Sequence, residues 1–102
     1  MIEYSFKNYM QDLVEFFLPV FFQEELVKHP DLIITPLLVA KVEAGALNRM
    51  PPMYITTKAG EIYSEYKMKA QQYKVDLFVA MSSALEQVRA QEKAQQQANL
   101  YK

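Results

Sequence analysis

Apolar side chains recur at three- and four-residue intervals over the first thirty residues: Tyr9, Met10, Leu13, Phe17, Val20 and Phe21, then Leu26 and Val27. That spacing predicts a helix. Asn8 stands where an N-cap is expected, and Asp12 places a negative charge near the first turn, where the helix dipole favours one. Pro19 falls inside the pattern and is expected to kink the helix or split it, because it removes a donor and crowds the previous turn. With Phe16 and Phe22 added, the apolar face is wider than one stripe. The helix is therefore expected to meet both its own core and a second subunit, since a small domain has little interior to fill; the alternative is a core helix that packs on all sides.

Lys28-His29-Pro30-Asp31 reads as a loop, and His29 as a solvated loop histidine. A second helix is predicted from Thr35-Pro36, a cap followed by proline at the first helical position. It continues through Leu37, Leu38, Val42, Ala46 and Leu47 and stops at or before Met50, because Pro51 disfavours helical geometry there. Ala40, Ala44 and Gly45 make it thin enough for another backbone to approach closely. After Tyr54, the run Ile55-Thr56-Thr57 predicts a short strand, an edge paired across a dimer. Lys58-Ala59-Gly60 then reads as a turn. From Glu61 a long helix is predicted, with Tyr63, Tyr66, Ala70, Tyr73, Leu77, Met81, Ala84 and Val88 near heptad spacing. Residues 91–102 keep helix propensity without an apolar stripe and are expected to fray, leaving residues 1–90 as one domain. The fold class is mainly α: a small helical homodimer with a kinked first helix, a second helix ending at a diproline turn, one short strand and a long C-terminal helix.

Composition narrows the function classes. The chain has 102 residues and a net charge of −1, so it has no global field to draw in nucleic acid. There is no cysteine and a single histidine, which excludes disulfides and a Cys/His zinc site within one chain. The apolar run at positions 13–22 is half the ~20 residues a membrane span needs and carries Glu15 and Pro19. No basic leader precedes it, so the expected setting is cytoplasmic. Two glycines cannot supply a dinucleotide fingerprint or a P-loop, and the serines have no histidine base at workable spacing. No enzyme is expected.

The helical pattern breaks at one place, Leu47-Asn48-Arg49-Met50-Pro51-Pro52-Met53-Tyr54, followed by Ile55-Thr56-Thr57-Lys58. A purely structural account has Asn48 capping the second helix, the prolines turning the chain and Tyr54 packing on the core. It leaves Arg49 and Lys58 unexplained. An arginine fork beside a rigid turn suits a phosphate or a purine face, and Lys58 adds a point charge. Tyr54 is a flat platform, and the hydroxyls of Thr56 and Thr57 and the backbone near Gly60 can receive anionic oxygens. These are the parts of a site for a phosphate-bearing aromatic ligand.

The run Ala46-Leu47-Asn48-Arg49-Met50-Pro51-Pro52-Met53-Tyr54, then Thr57, Gly60-Glu61-Ile62-Tyr63, Asp76, Ala80, Ala84 and Val88, resembles the late competence development protein ComFB family. That family shows ALNxLPPxY, then T-x-x-G-E-x-Y, then D-x-x-x-A on a long helix. The resemblance covers residues 36–90. It implies a small helical homodimer without known catalysis, several members of which are receptors for cyclic di-GMP or cyclic di-AMP. Two departures stand out. The cysteine cluster that binds zinc in some members is absent from Val27–Ile34, so no metal is carried over. Lys41 also stands where the family often has an aspartate. Leu38, Lys41, Gly45 and Asn48 are spaced by three and four, which places Lys41 on the Asn48 face.

The expected ligand-binding residues are accordingly Lys41, Asn48, Arg49, Pro51, Tyr54, Thr56, Thr57 and Lys58, with no catalytic residue, no metal and no cofactor. The expected function is a non-enzymatic receptor for a cyclic dinucleotide, cyclic di-GMP before cyclic di-AMP, acting as a homodimer on a protein partner. The alternative is a ligand-independent dimeric adaptor that docks through Phe16, Phe17, Phe21 and Phe22.

Overall fold

The computed structural model describes residues 4–58 and 66–100, with side chains over 6–56 and 71–98. The elements are β1 (Tyr4–Asn8), α1 (Tyr9–Lys28), α2 (Pro36–Arg49), β2 (Tyr54–Lys58) and α3 (Tyr66–Leu100). The fold is mainly helical, as expected. The turn read at Lys58-Ala59-Gly60 and the helix start at Glu61 fall outside the described residues.

The first correction concerns the strand. Ile55–Thr57 does lie in a strand, but β2 pairs within the chain. Its partner β1 runs antiparallel, with Tyr4 opposite Lys58 and Asn8 opposite Tyr54. Residues 4–8 of the stretch read as helical are therefore strand, while α1 starts at Tyr9 behind the Asn8 cap, as the sequence predicts. Asn8 is the hinge between the two conformations. Its backbone is extended (φ −81°, ψ 102°), and its side-chain oxygen accepts the N–H of Met10 at 3.1 Å, capping α1. The same oxygen accepts the N–H of Met53 at 2.9 Å, while Tyr9 N–H donates to the Met53 carbonyl at 2.6 Å. Lys7 forms an ion pair with Asp12 over the same junction.

Pro19 does not split α1, which runs unbroken for 20 residues. The proline lies on the exposed side, where the carbonyl it leaves without an amide partner can meet water. The opposite side of α1 is buried at Tyr9, Met10, Leu13, Val14, Phe17, Leu18, Phe21 and Phe22. Phe78 of α3 fits edge-on against Phe17 and Phe21, with centroids 5.8 and 6.1 Å away. This corrects the aromatic docking face: Phe17, Phe21 and Phe22 belong to the core, and only Phe16 is exposed. The face is wide because α2, α3 and β2 all pack on α1.

Thr35 caps α2 by accepting the Leu38 N–H at 3.1 Å, and Pro36 opens the helix, as the sequence predicts. Leu38, Val42 and Ala46 face the core, as do Leu77, Ala80, Met81, Ala84, Leu85 and Val88 of α3. The two helices meet at Gly45. A Cβ built there would lie 2.8 Å from the Cβ of Ala84, so only glycine permits this spacing. α3 stays helical to Leu100, with every described side chain from Arg89 onward exposed.

Two outcomes are expected. Asn8→Ala removes the cap and orphans the Met53 N–H, costing about 2 kcal/mol in urea unfolding, whereas Asn8→Asp retains an acceptor and most of the stability. Gly45→Ala gains about 1 kcal/mol in helix propensity but more than forfeits it to overpacking against Ala84. A double-mutant cycle with Ala84→Gly then shows favourable coupling; strict additivity would contradict the close contact.

Candidate ligand-binding site at the end of α2

The site begins where α2 must stop. Met50 precedes Pro51 and adopts an extended conformation (φ −107°, ψ 142°), with its N–H directed to the Leu47 carbonyl at 3.4 Å. The C-cap is thus Met50, not Asn48. Arg49 is the last helical residue, where the helix dipole favours a cation. Its Nη1 donates to the Gly45 carbonyl at 3.0 Å and its Nη2 to Gln87 Oε1 at 2.6 Å. The side chain is therefore held across the α2–α3 seam, and its position has a structural reason that the sequence does not reveal.

Beside it lies an open recess of about 380 Å³, at the lower end of the ~300–1,000 Å³ typical of small-molecule sites. Arg49, Met50 and Pro51 form one wall; Tyr73, Asp76, Val79, Ala80 and Ser83 of α3 form the other. Arg49 and Asp76 make no ion pair with each other among the described residues. The recess thus offers a guanidinium, a carboxylate, a half-buried phenol ring and a hydroxyl along an apolar floor. A guanidinium binds phosphate or the acceptor edge of guanine, and a carboxylate accepts from the guanine N–H edge.

Of the expected site residues, the structure brings Arg49 and Pro51 together and disperses others. Lys41 is exposed on α2, eight residues and so ~12 Å of helix rise from Arg49. Asn48 is exposed too and does not line the recess. Lys41 and Asn48, seven residues apart on α2, do share one exposed side of the helix, but neither lines the recess. Tyr54 is not packed on the core: it is 67% exposed on β2, edge-on to Phe6 with centroids 6.2 Å apart. Thr56 is exposed on the same strand. Thr57 and Lys58 lie on β2, with side chains outside the described set. Tyr73 and Asp76 were not expected as site residues; the spacing D-x-x-x-A at Asp76 and Ala80 was the signal available for them.

A second electrostatic feature lies between α1 and α2. Burial pushes the Glu43 carboxyl above the ordinary glutamate range, and Glu15 raises it further through a hydrogen bond and like-charge repulsion. A carboxyl raised in the fold binds its proton more tightly folded than unfolded. Its contribution to stability is complete below the ordinary glutamate value and is lost as pH rises through the raised one. Glu43→Gln, which keeps a donor for Glu15, should therefore melt higher than wild type at pH 7–8. The gap should close at pH 4; a gap unchanged across that range would contradict the pairing.

Among the described residues no cluster of three His, Cys, Asp or Glu can hold a metal, and no helix is long and apolar enough to cross a membrane. No curated protein and no solved structure matches the chain. The family model described as late competence development protein ComFB matches residues 7–92, a span that includes β1 from Lys7, both helix junctions and the whole recess. The chain belongs to the late competence development protein ComFB family.

Proposed function

We propose that the protein is a non-enzymatic, cytoplasmic receptor for a cyclic dinucleotide, preferring cyclic di-GMP to cyclic di-AMP, and that as a homodimer it relays the signal to a protein partner. The observation that carries this reading is Arg49. Gly45 and Gln87 hold its fork at the mouth of a recess that also contains Asp76, and its other N–H donors are left for a ligand. Because the side chain is held before binding, little rotamer entropy remains to be lost on contact with phosphate. Asp76 supplies the preference: it accepts from the N1–H and N2–H of guanine, whereas adenine presents no donor pair there. Tyr73 offers its ring to the base, and the rigid Pro51 keeps the opposite wall in place. One recess of this size and openness suits half of a two-base ligand, so the second half is met by a second subunit.

The adaptor reading keeps one supporting observation after the loss of Phe17, Phe21 and Phe22 to the core. Phe16, Val20 and Val27 form an exposed stripe on α1 at spacings of four and seven. Loss of cellular function in Phe16→Asp but not in Arg49→Ala would favour it.

Calorimetric titration with both cyclic dinucleotides tests the receptor. Heat is expected with cyclic di-GMP, a 10–100-fold loss in Arg49→Ala is the scale of ~1.5–3 kcal/mol for charge-assisted hydrogen bonds, and Asp76→Asn should erase the guanine preference. Absence of heat at ~100 μM of either nucleotide, about −5.5 kcal/mol, would overturn the reading.

A further inference from the structure

A second recess of about 270 Å³ lies on the other flank of α3, against α1. Phe21, Glu24, Glu25 and Lys28 line it from α1, and Phe78, Val79 and Ser82 face them from α3. Val79 and Ser83 border this recess and the Arg49 recess alike, one on each side of a single helical ridge.

Glu25 is the feature that packing does not explain. It is the one buried charged residue among those described, at 8% exposure. Its backbone carbonyl accepts the His29 N–H at 2.7 Å, but its carboxylate makes no hydrogen bond or ion pair among the described residues. It also sits in the last turn of α1, beside the negative end of the helix dipole, where a second negative charge is unfavourable. Glu24 adds another carboxylate at the rim, so Lys28 does not neutralise the group. The stem of Glu25 is buried while its carboxylate opens to solvent through the recess, so the charge is presented at the recess without a protein partner. The aromatic pair Phe21 and Phe78, 6.1 Å apart, supplies the apolar wall.

We propose that this recess receives the guanidinium of an arginine projecting from a basic segment of a partner protein. Charge complementarity selects the occupant: two carboxylates against one lysine, beside a helix C-terminus, leave a net negative charge that calls for a cation. The phenylalanine wall favours a side chain with an apolar stem and a planar head. Val79 and Val75, exposed on the adjoining ridge, give the partner's backbone an apolar contact. The inference is independent of the nucleotide reading, and the test needs no nucleotide.

The probe is Nα-acetyl-arginine amide, with the uncharged isostere Nα-acetyl-citrulline amide as control, titrated into the full chain and followed by NMR. Arginine amide is expected to bind with Kd on the order of 1 mM, shifting the Glu25 carboxyl carbon and the Val79 methyls. Citrulline amide should bind at least tenfold more weakly, and Glu25→Gln should lose the arginine response while melting no lower than wild type. Equal binding of the two amides, or an unchanged response in Glu25→Gln, would overturn the proposal. So would a lower melting temperature in Glu25→Gln, which would reveal a structural partner for the carboxylate. If arginine amide instead dissociates a dimer in sedimentation, an arginine of a second copy fills the recess, and the partner assignment fails.

Discussion

One oxygen atom decides how the two ends of this fold meet. The side-chain carbonyl of Asn8 accepts from Met10, at the start of α1, and from Met53, at the end of the diproline segment. Following the backbone donors shows why that is demanding. Met50 N–H is directed back into α2, and Pro51 and Pro52 have no N–H, so Met53 carries the first donor after the helix stop. A donor near the core must find an acceptor, and Asn8 provides it. The Tyr9-to-Met53 bond completes the clamp and carries the β1–β2 ladder one step further. Strand, helix and diproline turn are thus fixed to one another across 45 residues of chain.

The recess depends on that clamp and on the α2–α3 seam. The clamp anchors the diproline wall from the Met53 side, while the Met50 stop anchors it from the other. At the seam, Gly45 lets α2 come close enough to Ala84 for Arg49 to reach Gln87. A wider helix separation would release the guanidinium to water, and the recess would lose its fixed charge. Backbone, glycine and arginine therefore act as one arrangement.

Much of the fold was legible because its signals are local. The three- and four-residue spacing marks all three helices, Asn8 and Thr35-Pro36 mark two starts, and Pro51 marks a stop. What was not legible depends on partners far along the chain. Tyr4–Asn8 is too short to show a period of its own, and its strand character comes from pairing with Tyr54–Lys58. The width of the α1 apolar face was visible, but not that Phe78 and β2 would cover it. The site followed the same rule. Arg49 and Pro51 are neighbours in sequence and in space. Lys41 and Tyr54 are close in sequence only, separated from the recess by helix rise and by the turn into β2. Tyr73 and Asp76 join the recess through the packing of α3 alone.

The ridge formed by Val79 and Ser83 gives the two recesses a shared boundary. α3 is anchored beneath it by Leu77, Met81 and Ala84, all buried, so it cannot sink to accommodate an occupant on one side. A ligand that displaced Val79 from the Arg49 side would move a side chain that also borders the Glu25 recess. If the two recesses bind as proposed, linkage requires that any change an occupant of the Glu25 recess makes in nucleotide affinity equals the change nucleotide makes in its own. A signal relay of this kind needs no long pathway through the core: the distance between its two sites is one helix width. It requires only that the two occupants differ in their preference for the ridge, and equal preference would leave the sites independent however tightly each was filled.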